Sequence, residues 1–322
     1  MSIDPAALAP EQVAALRDET AGALAAELPQ GLEPGGEGGI LRQFLRVFVE
    51  NKLAVAGAVM IVLIVAFCFL GPAFYHTNQT NAQEALLNST QNAPPGGANP
   101  LGTDDNGFDI LGRLMYGGQT SLEIGFAAAA IATFVGVLWG AVSGFFGGVV
   151  DAVMMRIVDV FLSVPTIYLL ITLTVIFQAS EGLLILVIGL TAWLVPARLV
   201  RGETLTLRVR EYVQAVRVMG GRGRRVVVRH IVPNAIGTIV VNATFQVADA
   251  ILVLAALGFL GLGVPAPQTD WGSMLSNGVN YVTSNYWWEI YPVAIAIVLV
   301  VVSLNFIGDA MRDAFEVRLQ RR

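Results

Sequence analysis

The chain has 322 residues, is 55% hydrophobic and only 13% charged, with a mean hydropathy of +0.66. Soluble domains carry about 25% charged residues, so the composition points to a membrane protein. One cysteine (Cys68), two histidines (His76 and His230) and one lysine (Lys52) exclude a disulfide framework, a histidine or thiolate zinc site and a GxxxxGK[ST] phosphate loop.

Residues 1–39 hold seven acids and one base. This segment accounts for the net charge of −5, leaving the remainder nearly neutral at 18 bases against 17 acids. "APEQVAALRDETAGALAAEL" has helical character, and "PQGLEPGGEGG" after it has the composition of a flexible linker. It lacks the basic start and apolar core of a signal peptide, and is expected to be an acidic cytoplasmic tail.

Six apolar segments follow: Leu53–Tyr75, Ser121–Phe146, Val153–Phe177, Leu183–Val200, Ala235–Leu262 and Ile290–Ile307. Each is close to the roughly 20 residues that cross a hydrocarbon core as a helix. The bases set the orientation. Arg42, Arg46 and Lys52 flank the first segment, eight arginines fall in 201–234, four fall in the tail after 310, and Arg113 alone lies opposite. Six membrane helices with both termini cytoplasmic are therefore expected. Trp271, Trp287 and Trp288 lie in the outer segment 263–289 and suit the headgroup zone, with solute contact as the alternative.

Within the second segment, Gly136, Gly140, Gly144 and Gly148 recur every four residues. Such spacing predicts close helix packing, inside the chain or against a partner. Arg156 and Asp159, three apart, are expected to form a local ion pair. Pro165 and Pro196 are expected to kink the third and fourth helices. Asn242, Gln246 and Asp249 form a polar stripe on the fifth. A charge in the bilayer costs at least ~2.5–3.5 kcal/mol on insertion scales, so this stripe lines a path or packs against another subunit.

The densest run of arginines surrounds "REYVQAVRVMGGRGRRVVVRHIVPN" (Arg210–Asn234). The positive-inside tendency accounts for many of them, but not for the order of the other residues. Tyr212, Ala215, Val216 and Met219 are placed on one face of a short amphipathic helix. Gly220 and Gly221 end it, and Pro233 marks the approach to the fifth membrane helix. A helix–turn–helix outside the bilayer, with a small apolar face, suits docking into a groove on another protein.

This stretch resembles the EAA loop of permease subunits of ABC importers, in the dipeptide/oligopeptide (and nickel) branch. The matching positions are Glu211, Tyr212, Val213, Ala215, Gly220, His230, Pro233 and Asn234. Three further blocks resemble the same branch: "NPLGTDDNGFDILGRLMYGGQTSLEIG" with Phe108 and Gln119 in place of the usual arginines, "AALGFLGLGVPAPQTDWGSML", and "NFIGDAMRDAF". The resemblance covers residues ~40–318. It implies an all-α, type I importer permease fold of the second-permease branch, which carries an extra N-terminal membrane helix. The divisions are then the tail 1–39, a first helix and external loop 40–118, a permease core 119–309 containing the coupling loop 201–234, and a cytoplasmic tail 310–322.

The resemblance also implies the partners. These are a second, similar permease subunit, two ATPase subunits that bind ATP and Mg, and an extracytoplasmic substrate-binding protein. No cofactor, catalytic residue, metal or nucleic acid is expected of this chain, which would reside in the inner membrane of a prokaryote. Glu211, Tyr212, Ala215, Val216, Met219, Gly220, His230 and Pro233 would make the coupling loop, and Asn242, Gln246 and Asp249 the path or interface. Short peptides are the implied solute, with nickel or another small solute as the alternative. A secondary transporter driven by an ion gradient would want inverted repeats and several intramembrane acids, and the sequence has neither pattern.

Overall fold

The computed structural model describes residues 48–80, 83, 85, 89–97 and 99–320, with side chains to 315. The acidic tail, Arg42, Arg46 and the last arginines of the chain lie outside the described side chains. Everything described is helix, turn or loop apart from two isolated β-bridges.

Among the described residues, the apolar runs and the segments between them form eleven α-helices. They are α1 Lys52–Phe74, α2 Ile110–Phe146, α3 Gly148–Ser163, α4 Thr166–Phe177, α5 Glu181–Ala192, α6 Leu194–Leu207, α7 Glu211–Val218, α8 Gly223–Val226, α9 Ile236–Phe259, α10 Trp271–Val279 and α11 Tyr291–Gln320. Four stretches among the described residues are long and apolar enough to span a bilayer: α1, α2, α9 and the stretch Trp287–Phe315 that contains most of α11. Two bent pairs raise the number to six if each pair counts as one span. The second helix begins at Ile110, eleven residues before the sequence expectation, because Asp109 caps it by accepting from the Gly112 N–H at 2.8 Å. The third expected helix is not one helix but two, α3 and α4, bent by 81° at Val164–Pro165. The fourth breaks by 40° between α5 and α6 at Trp193, three residues before Pro196.

Proline lacks an N–H, so it leaves the carbonyl four residues upstream without its helical donor. In lipid that carbonyl needs another partner. Pro72 vacates the Cys68 carbonyl in α1, and Gln119 Nε2 on α2 donates to it at 2.7 Å. Pro196 vacates the Ala192 carbonyl, and Gln246 Nε2 on α9 donates to it at 2.8 Å. Two glutamines thus perform the same repair in two helices.

At the centre of the bundle, α2 packs against α1, α5, α6 and α9. Its glycines are a seam within the chain. A Cβ at Gly136 would lie 2.5 Å from Pro196 Cβ, at Gly140 2.3 Å from the Ala197 carbonyl, and at Gly144 2.7 Å from Thr204 Cβ. All three face α6. Gly148 does not belong to the seam: it is at φ +54 with open space around its Cβ position.

Candidate functional site: an exposed elbow and a closed cap

Residues 201–234 form an elbow at one end of the bundle. Glu211 starts α7, and Val213, fully buried, points back into an apolar cluster with Ala141 and Phe145 of α2, Val200 of α6, Val226 of α8 and Ile231 just beyond it. Val216 is half-buried against the same cluster. The face expected to contain Tyr212, Ala215, Val216 and Met219 is therefore divided. Val213 and Val216 anchor the helix, while Tyr212, Ala215 and Met219, at positions i, i+3 and i+7, remain exposed.

The helix ends as the two glycines predict. Gly220 sits at φ +83, where L side chains are strained. Its N–H donates to the Arg217 carbonyl at 3.0 Å, and the Gly221 N–H donates to the Val216 carbonyl at 2.9 Å. This pair of bonds satisfies the last carbonyls of a short helix. Arg217 stacks over the Phe145 ring with 5.4 Å to the centroid, fixing the helix across the end of α2. After α8, one π-turn bonds the Val232 N–H to the Val227 carbonyl at 2.9 Å. His230 is half-buried there, its backbone carbonyl accepting from Asn234 Nδ2 at 2.6 Å, and Pro233 is exposed in the turn that precedes α9.

Large apolar side chains on this elbow face outward. Met219 is 78% exposed and Val218 89%. Against a well-anchored helix, an outward methionine, tyrosine and valine make a compact apolar patch among arginines. Exposed apolar side chains of this kind suit a contact with another protein or with a membrane surface.

The three polar residues of α9 share a helical face at i, i+4 and i+7 but meet different surroundings. Gln246 is buried and spent on the Ala192 carbonyl. Asn242 is half-buried, and its Oδ1 has no hydrogen-bond partner among the described residues. Asp249 faces out from the chain.

The opposite end is a cap made by residues 99–113 and 263–289. Asp270 is fully buried, and its carboxylate accepts from the Val264 and Ser273 N–H groups and from Ser273 Oγ at 3.1, 3.0 and 2.6 Å. Trp271 is buried between α1 and α2, with Nε1 donating to the Leu114 carbonyl at 3.1 Å. Trp288 is buried too and donates to the Thr103 carbonyl at 3.3 Å. The headgroup expectation thus fails for these two, whose indole N–H groups fasten the cap; only Trp287 is exposed.

Arg113, expected as the lone outer base, is buried in this cap. It pairs with Asp104 at 3.1 Å, donates to Thr269 Oγ1 at 3.0 Å and lies over the Phe108 ring. Burial pushes the Asp104 carboxyl upward, with Arg113 and the Phe108 and Asn106 N–H groups pulling it back. Asp104, Arg113, Asn277 and the buried Glu289 line a small crevice in the cap, with room for about 10 Å³.

The expected Arg156–Asp159 pair does not form: Asp159 instead meets Arg198 of α6 at 2.5 Å.

Residues 136–321 match the family of the binding-protein-dependent transport system inner membrane component, and residues 39–95 match the N-terminal TM domain of oligopeptide transport permease C. The chain belongs to the permease family of binding-protein-dependent transport systems. Among its relatives in that family, the oligopeptide transport system permease protein OppC of Bacillus subtilis is 40% identical, over 85% of this chain and 88% of the relative. The dipeptide transport system permease protein DppC of the same organism is 35% identical, over 84% of each. OppC of Escherichia coli K12 is 39% identical, over 84% of this chain and 89% of the relative. A solved structure described as inward-facing conformations of the MetNI methionine ABC transporter aligns with a TM-score of 0.49 and 23% identity, covering 62% of this chain and 94% of that one.

Proposed function

We propose that this chain is a permease subunit of an ATP-driven importer of di- and oligopeptides. It forms half of the translocation path and receives work through the elbow from separate ATPase subunits. In this reading the chain crosses the inner membrane of a prokaryote six times, counting each bent pair once, with both termini and the elbow in the cytoplasm. A second permease subunit completes the path, and a substrate-binding protein delivers solute on the cap side. ATP and Mg are held by the ATPase chains. The chain itself carries out no covalent chemistry.

The observation that carries this reading is the elbow's division of labour. Val213 and Val216 fix α7 to the ends of α2 and α6, while Tyr212, Ala215 and Met219 stay uncovered. A helix rigidly joined to the membrane bundle and apolar on its outer side can pass a partner's movement inward. The peptide assignment is supported by relatives named as oligopeptide and dipeptide permeases. Asp249 is assigned to the path or to the second subunit rather than to lipid, since lipid contact would leave a carboxylate in hydrocarbon.

The test is crosslinking and transport with the purified assembly. A cysteine at Met219 should crosslink to the ATPase chains, and proteoliposomes should accumulate a labelled tripeptide when ATP is supplied. Uptake driven by a proton gradient without ATP, or a Met219 cysteine that reacts only with soluble reagents, would contradict the assignment. Uptake of nickel but not peptide would keep the motor and change the solute.

A further inference from the structure

The bent pair α3–α4 is weakly rooted in the bundle. Sixteen residues of α3 bury one side chain, Val158, and α4 buries two, Leu170 and Thr174. An arm with so little apolar attachment relies on polar contacts to keep its place, and these concentrate at its elbow end. Gly147 and Gly148, at φ +66 and +54, turn the chain from α2 into α3. The turn brings Asp151 back beside α2, where Ser143 Oγ donates to Asp151 Oδ1.

Two arginines of α6 and its C-cap close on this corner. Arg201 grips Asp151 with both arms of its fork, Nε to Oδ1 at 2.5 Å and Nη2 to Oδ2 at 2.6 Å. Arg208, about two helical turns further on, donates from Nη1 to the Gly144 carbonyl in the last turn of α2 at 2.9 Å. Its guanidinium also lies against Gly147, where a Cβ would come within 2.6 Å. Arg208 stands two residues before Arg210, the N-cap of α7. The side chains of Asp151 and Arg201 are 14% and 33% exposed, so water competes little with a charge-assisted, bidentate pair. The Asp159–Arg198 pair has both side chains about half exposed, where ion pairs contribute little.

We propose that the Asp151–Arg201–Arg208 bracket makes the α3–α4 arm follow the elbow, so that a displacement of α7 reaches the arm as one rigid movement. These are positioning residues, and none is assigned to the solute. The proposal rests on the elbow being the site where work enters. Asp151→Asn keeps the shape of the side chain and removes its charge, and Arg201→Lys keeps the charge and removes the fork.

The experiment uses the purified transporter assembly in proteoliposomes. Peptide uptake is compared with ATP hydrolysis, and the distance between spin labels at the exposed positions Val160 and Val228 is followed with and without nucleotide. In the parent protein the label distance should be the same in both states. With Asp151→Asn, uptake per ATP should fall at least tenfold while hydrolysis stays within twofold, and the distance distribution should broaden or differ between states. Arg201→Lys should fall between the two, and it serves as the test protein if Asp151→Asn fails to assemble. An unchanged uptake-to-hydrolysis ratio with a narrow distance distribution overturns the proposal, as does equal loss of uptake and hydrolysis. Failure of the elbow assignment itself would appear separately, as loss of the Met219 crosslink to ATPase in the parent protein.

Discussion

The cap of residues 99–113 and 263–289 and the elbow of residues 201–234 are both polar, glycine-bearing stretches between membrane helices, yet they treat large side chains in opposite ways. The cap turns Trp271, Trp288 and Arg113 inward and spends their donors on Leu114, Thr103, Asp104 and Thr269. The elbow turns Val213 inward and leaves Val218 and Met219 in the open. A segment that satisfies its own groups is finished as folded. One that fixes its backbone and leaves apolar atoms uncovered is, in the function proposed above, the side that another protein completes.

The sharpest way to break this contrast is to attack the cap's buried pair. Arg113→Leu strands the Asp104 carboxylate and should cost about 3–5 kcal/mol of stability, as loss of one member of a buried pair does. Thermal unfolding in detergent measures it. Acidification should restore part of the loss. Burial raises the Asp104 carboxyl in the fold, and without Arg113 it should rise further. A group raised in this way favours the fold at pH below its unfolded value and loses that contribution as pH climbs through the folded value. The variant should therefore lie nearest the parent at the acid end of the accessible range.

The elbow should behave oppositely. Met219→Asp removes up to about 2 kcal/mol of apolar burial at a partner surface. ATPase affinity should drop at least tenfold with no change in the melting temperature of the isolated chain; a comparable fall in stability would mean that Met219 belongs to the fold. Gly220→Ala forces an L side chain to φ +83 and should cost about 1 kcal/mol, weakening ATPase association less than Met219→Asp. Gln246→Leu leaves the Ala192 carbonyl without its donor. It should cost about 0.6–1.7 kcal/mol, the range for side-chain hydrogen bonds between membrane helices, read as a lower unfolding midpoint with ATPase binding intact.

The sequence made parts of both regions legible, and for identifiable reasons. The apolar runs, the short amphipathic helix at Glu211 and its glycine stop are local patterns, and each is present in the structure. The four-residue glycine spacing announced a seam, but whether α6 or another subunit filled it depended on tertiary placement. Pro196 announced a kink, yet nothing along the chain said that Gln246 would reach the carbonyl it vacates, or that Gln119 would do the same for Pro72. Likewise Arg201 counted as one more inward-side base until the turn at Gly147 brought Asp151 into its fork. Trp271 and Trp288 misled because an indole is equally suited to a headgroup layer and to a buried pocket with a carbonyl at its end.

The unbroken second helix has a mechanical consequence. α2 runs 37 residues with no proline, about 55 Å at 1.5 Å per residue, well beyond the thickness of the hydrocarbon layer. Asp109 and Arg113 hold its first turn in the cap, and Phe145 near its end lies under the elbow. Its neighbours α3–α4 and α5–α6 are jointed, but this one is a stiff spoke. One rigid rod therefore joins the cap at one end to the elbow at the other, with no chain of intermediate side chains between them.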